Sequence, residues 1–271
     1  MTALSDARIL LALNAGDAAD EAIALAARLA SSLHTHIHGL MVEDQALLDA
    51  AALPFTSIVA RRGVTPPEFS LAAVERSLNH AEQDVRAAFA AVARRLNLSW
   101  TVQRLRGGLA DSLSACMAAN DIVVLPVDRP GAGFPNAVSD LRKISGQVQG
   151  IVLPPRKRTF RPGQSGPVVA IDAEDQTGRG VVALASRLAA GMDCPLHVLK
   201  LADPALANED VLAARLSAVA PGLLVASMHA RLFSNEPVIA RLQNAARAPL
   251  LLLCGPESQQ ALPAREGLQD S

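Results

Sequence analysis

Three histidines spaced two apart, His34, His36 and His38, are the first residues whose types and spacing suggest chemistry. On an extended strand, residues i, i+2 and i+4 share one face, and adjacent imidazoles there can chelate Zn²⁺. A third ligand from one straight strand lies too far away, so another element must supply it. Gly131-Ala132-Gly133 has the opening of a dinucleotide loop, but Asn136 stands where the third glycine belongs, and a plain turn fits better. Ser165 sits between Gly163 and Gly166 without the spacing of a nucleophile elbow. Cys116 falls within a helical pattern and Cys254 at the end of an apolar run, so both read as small buried hydrophobes. Arg156, Lys157, Arg158 and Arg161 form a cationic cluster that reads as a solvated linker. No triad, metal cluster or carboxylate pair emerges. The expectation is a protein that is not an enzyme and holds no metal or cofactor.

Composition narrows the partners. With 25 basic and 26 acidic side chains in 271 residues, the formal charge is −1, which argues against nucleic acid or an anionic membrane surface as the ligand. Aromatic residues make up 3%, too few for stacking on bases. No apolar run approaches the ~18 residues of a membrane span; Ala248–Cys254 is the size of a buried strand, so no membrane insertion is expected. The first residues lack an export pattern, and three widely spaced cysteines make no disulfide framework. A cytoplasmic location is the expectation. Arg outnumbers Lys 22 to three, which reads as codon bias and is assigned no function. Abundant alanine, the best helix former, points to helices packed closely on a sheet.

The elements that must position these residues come in two related sets. Residues 9–40 and 168–199 are similar: Ala12-Leu13-Asn14-Ala15 matches Ala170-Ile171-Asp172-Ala173. After one extra residue in the second copy, Ala24-Leu25-Ala26 and Arg28-Leu29-Ala30 match Ala183-Leu184-Ala185 and Arg187-Leu188-Ala189, and His38 meets His197. The first copy alternates short continuous apolar runs with helical patterns. Strands are predicted at Arg8–Leu13, Ile37–Val42, Ser99–Leu105, Ile122–Pro126 and Ile151–Leu153. Helices are predicted from Asp17 to Leu33, along Leu71–Leu96 after Pro66-Pro67, over Leu109–Ala119 and, more weakly, over Ala137–Gly146. The second copy keeps strands at Val168, His197–Leu201, Leu223–Ala226 and Leu250–Leu253 with a helix at Asn208–Val219, and lacks the long helix and third strand. The fold class expected is α/β: two tandem doubly wound parallel sheets of flavodoxin-like or Rossmann-like order, the second abridged. The domains run 1–153 with five strands and 168–255 with four, joined by the Pro- and Gly-rich linker 154–167 and followed by a flexible tail, 256–271.

In this order the chain resembles the universal stress protein family in a tandem arrangement. The opening ILLALNAGDAADEAIALAARLA and the passage from Arg106-Gly107-Gly108 to Asp121-Ile122-Val123-Val124-Leu125 carry the likeness. The resemblance implies a cytoplasmic regulatory or scaffolding protein of the bacterial stress response. It also implies pairing of last strands, here within one chain as an intramolecular pseudo-dimer, and leaves room for a homodimer. Many family members bind ATP through glycines after the fourth strand, where backbone N–H groups face the phosphates. That signature is degenerate here. Gly131 and Gly133 stand at the wrong spacing beside Pro130, Pro135 and Asp128, and the second copy reads Ser227-Met228-His229-Ala230-Arg231-Leu232-Phe233 without glycine. The first-strand acid persists as Asp172 and is Asn14 in the first copy. Asn14, Asp172, Gly131 and Gly133 are therefore the remnants of a nucleotide site, and ATP binding is not expected. The alternative is a sensor for a nucleotide or other small molecule using the Asn14 and Asp172 crevices.

The connection Glu43–Ser70 has no counterpart in the second copy. Its apolar Leu47, Leu48, Leu53 and Phe55 beside Arg61 and Arg62 have the anchor-and-charge make-up of an interface, which suggests an unknown protein partner. A short helix capping the sheet's edge is the equal alternative.

Overall fold

The computed structural model describes residues 8–14, 19–43, 45–53, 70–125, 144–154, 166–201, 208–230, 233 and 236–254. The first copy contributes β1 (Ile9–Asn14), α1 (Ala19–Leu33), β2 (Ile37–Glu43), α2 (Gln45–Ala52), α3 (Leu71–Leu96), β3 (Trp100–Arg106), α4 (Leu109–Cys116), β4 (Ile122–Val124) and β5 (Gly150–Leu153). The second contributes β6 (Val168–Asp172), α5 (Gln176–Gly191), β7 (Leu196–Lys200), α6 (Glu209–Val219), β8 (Leu223–Ser227), α7 (Glu236–Ala246) and β9 (Leu250–Leu253). The expected linker falls largely on 155–165, and that segment and the tail lie outside the described residues.

The five- and four-strand sets are merged into one nine-stranded sheet of order β3-β2-β1-β4-β5-β9-β8-β6-β7. All pairings are parallel except β5 with β9. The first five strands follow the Rossmann order of the two anticipated, and the last four repeat it without a third strand. The strands expected to meet at the centre do so, with Val152 opposite Leu251 and Leu153 opposite Leu250. One rung runs unbroken from Val102 through Gly39, Leu11, Val124, Val152, Leu251, Val225 and Ala170 to Val198. It is symmetric about the Val152–Leu251 pair as far as Gly39 and Val198.

Continuous apolar strands need cover on both faces, and the helices supply it. α1, α3 and α5 pack on one face around Ile23, Leu29, Phe89, Val181 and Leu188. α4, α6 and α7 pack on the other around Leu113, Leu212, Leu216 and Leu242. α1 buries Ile23, Ala26, Ala27, Ala30 and Leu33, the stripe its spacing predicts. Ser70 caps α3, accepting from the Ala73 N–H at 3.3 Å, and Asn97 ends it in the left-handed region. Phe89 of α3 stacks on Trp100 with centroids 5.4 Å apart and lies over Gly39, where a β-carbon would come within 3.0 Å of its ring. The glycine lets the long helix seat. The equivalent residue of the second copy is Val198, where no such helix lies overhead among the described residues.

The ladder corrects the alignment of the copies. Ile37 pairs with Ile9 and Leu196 with Val168, and the N–H of Ile9 and Val168 donate to the carbonyls of His36 and Pro195. The offset is therefore 159 residues (Ile9 to Val168, Ile37 to Leu196), with no insertion between. Asp172 stands where Leu13 does, and Asn14 corresponds to Ala173. Similarity of residue type at Asn14 and Asp172 is overruled by the pleat.

Candidate functional site

In open sheets of this order, ligands bind beyond the C-terminal strand ends where the order reverses. Here that is between β1 and β4, and between β6 and β8. In the second copy, Asp172 ends β6 and is half-buried. Its carboxylate accepts the Glu174 N–H at 2.8 Å, closing an Asx turn in which Glu174 takes φ 56°. Gly178, in the first turn of α5, approaches so closely that a β-carbon there would lie 2.1 Å from Asp172 Oδ1. Asp175 caps α5, accepting from the Gly178 N–H at 2.7 Å and the Thr177 hydroxyl at 2.6 Å. Those two donors hold the Asp175 carboxyl below its usual range. Glu174 pairs with Lys200 at 3.0 Å, which raises the ammonium. Three carboxylates thus crowd the N-terminus of α5, where phosphates would otherwise be drawn.

The turn after β8 is the other wall. Among its described residues the N–H groups are taken up internally: Met228 on the Leu253 carbonyl at 3.0 Å, Ala230 on Ser227 at 3.2 Å and Phe233 on Ala230 at 2.8 Å. The His229 N–H donates to the Ser227 hydroxyl at 3.2 Å. Met228 and Ala230 are buried, and Phe233 is fully covered within the cluster of Val238, Ile239 and Leu242. Met228, Ala230 and Phe233 are thus packed as core, while His229 is exposed.

In the first copy, the strand position that Asp172 would share is Leu13, an apolar side chain 1% exposed. Asn14 pairs with Val42 along the ladder. Gly131 and Gly133 lie outside the described residues, as do Asp17, Pro66-Pro67 and residues 137–143 of the expected last helix. An acid at the end of the second strand reads ribose hydroxyls in dinucleotide folds, and Glu43 holds that place. Its side chain is wholly covered and spent on two arginines of β3: Arg106 Nε at 3.0 Å from Oε2, and Arg104. Oε1 meets Arg104 as an ion pair without hydrogen-bond geometry. Arg104 also bonds Asn79 at 2.6 Å. This group fastens α3 to the sheet.

The histidines do not share a strand. β2 begins at Ile37, and His34 occupies the left-handed turn that ends α1, with φ 56°. Asp193 holds the same turn in the second copy, with φ 49°. His34 and His36 are exposed. His38 alone lies on β2, its Nδ1 2.6 Å from the Thr101 hydroxyl. Burial lowers the His38 pKa, helped by Arg8 and His36 and opposed by Gln103 and Asp121. Asp121 itself is buried, taking Arg8 Nε at 2.8 Å, Arg8 Nη2 at 3.0 Å and the Ala118 N–H at 2.8 Å. That pair ties β1 to β4 at the N-terminal edge, opposite the ligand end. Cys254 is buried and its thiol is pushed up to about 12 by desolvation, so it is no nucleophile at neutral pH.

The expected partner surface divides. α2 is the short helix that was the alternative, and it packs against α3. Leu48 and Ala51 are buried, so Leu48 is corrected from a surface residue to an anchor of α2. Leu47 and Leu53 are 43% and 62% exposed. Phe55, Arg61 and Arg62 lie outside the described residues.

No family model matches the chain, and no curated protein is similar to it. Solved structures are, among them two that the chain covers almost end to end. A protein of unknown function from Pseudomonas aeruginosa PAO1 is 14% identical, with a TM-score of 0.54 over 92% of this chain and 93% of that one. A universal stress protein from Archaeoglobus fulgidus DSM 4304 is 6% identical, with a TM-score of 0.50 over 91% of this chain and 98% of that one. At such identities the likeness is one of fold: a universal-stress-protein-like α/β architecture. No helix among the described residues is long and apolar enough to cross a membrane.

Proposed function

We propose that the protein is a non-enzymatic regulatory or scaffolding member of the universal-stress-like folds, serving a bacterial stress response without binding ATP. The observation that carries this reading is the described part of the turn after β8, where the N–H groups of Met228, His229, Ala230 and Phe233 are taken up internally and Met228 and Phe233 are buried in the core. Asp172 supports it, since its carboxylate closes its own loop. Free N–H groups at a helix N-terminus favour phosphate, and carboxylates beside them oppose it. The second-copy crevice instead presents Asp172, Glu174 and Asp175. Regulation then rests on surface rather than cavity, and exposed Leu47 and Leu53 on and after α2 are the anchors we assign to a protein partner.

A native mass spectrum of freshly purified protein tests the reading. The expected result is the bare chain mass for each protomer. A retained adduct of nucleotide mass would overturn it and favour the sensor alternative.

A further inference from the structure

The nine-stranded sheet ends in two unlike edges. On β3, Arg86 of α3 reaches across and donates to the Val102 carbonyl oxygen at 3.2 Å, and Arg104 and Arg106 lie along the same strand. The capped acceptor and the charged residues along the strand disfavour addition of another strand. At the other end, β7 bonds inward to β6 with a phase fixed by two contacts. The Val168 N–H donates to Pro195 and the Leu201 N–H to Asp172, each at 2.8 Å. In a parallel ladder the groups of alternate residues point to opposite sides. Residues 197 and 199 therefore bond β6, and the N–H and C=O of Leu196, Val198 and Lys200 face outward. Among the described residues nothing pairs with them. Val198 is 39% exposed although it ends the rung whose other members form the core.

We propose that β7 is a pairing surface for a second copy of this chain, joined antiparallel about a two-fold axis at Val198. The occupant follows from the edges themselves. A β3-to-β7 contact between molecules, the route to an open filament, meets the Arg86 cap. β7 against β7 is then the pairing that closes. With the axis at Val198, the two valines face each other, and Leu196 of each copy stands opposite Lys200 of the other. All three outward residues then find hydrogen-bonded partners, and a shift by two residues strands one end. The arrangement continues the existing sheet through the antiparallel edge contact already used by β5 and β9.

Sedimentation velocity of the full chain over a wide concentration range is the test. Val198→Pro removes an outward donor without touching a β6 bond, and Val198→Lys places a charge at the axis. The expected result is a wild-type dimer and monomeric variants. Val198→Lys, at an exposed position, keeps its melting temperature and serves if the proline variant fails to fold. A wild type that stays monomeric, or a dimer unmoved by Val198→Lys, would overturn the proposal.

Discussion

Ser32 and Gly191 hold the same place in the two copies, and they touch each other. Each lies at the end of its helix, α1 or α5, and 159 residues separate them, the offset of the first strands. A β-carbon on Gly191 would stand 2.4 Å from the Ser32 carbonyl oxygen and 2.6 Å from its Cα. The axis that passes between Val152 and Leu251 in the sheet therefore has a second contact in the helical layer above. One half offers no side chain so that the other can approach.

Gly191→Ala should accordingly destabilise the whole chain by about 1–3 kcal/mol, the range for overpacking. Gly146→Ala is the control, since nothing lies within 4 Å of the added carbon. Urea unfolding of the two variants checks this. Equal midpoints would mean that the halves do not press together at Ser32.

Gly39 and Phe89 should behave as a coupled pair. Gly39→Val copies the residue that the second half carries at Val198, and its side chain would collide with the Phe89 ring. A loss of about 1–3 kcal/mol is expected from the single change, and markedly less when Phe89→Ala is already present. Additive losses in a double-mutant cycle would show that the helix α3 does not depend on that glycine.

Much of this was legible in the sequence, and the misses have physical causes. Strand positions follow from apolar runs such as Leu10–Leu13 and Leu250–Leu253, which burial on both faces requires. The long helix α3 follows from Leu78, Val85 and Phe89 at helical spacing. Matching residue types misplaced Asp172 against Asn14, because one position of slip reverses the face of a strand and only the ladder records it. α7 gives only a weak signal although Val238, Ile239, Leu242 and Ala246 have helical spacing, since Pro237 and the polar Gln243-Asn244 dilute the pattern. Phe233 as a core residue and Arg86 as an edge cap carry no local signal. Gly39 inside a strand did carry one, the mark of close approach by a neighbour.

His38 should make the fold sensitive to mild acid. Burial and Arg8 depress its pKa below the usual 6.5, so the unfolded chain takes up the proton first. This contribution to stability is complete above pH 6.5 and is lost as pH falls toward the lower folded value. His38→Gln should flatten the fall in melting temperature between neutral pH and about pH 5. An unchanged slope in the variant would remove His38 from the account.

The central claim is that neither crevice accepts a nucleotide, and calorimetric titration of the full chain with Mg-ATP tests it most directly. The account predicts no saturable heat, equivalent to a Kd of about 1 mM or weaker. Saturable binding with a Kd of about 1 μM would contradict it.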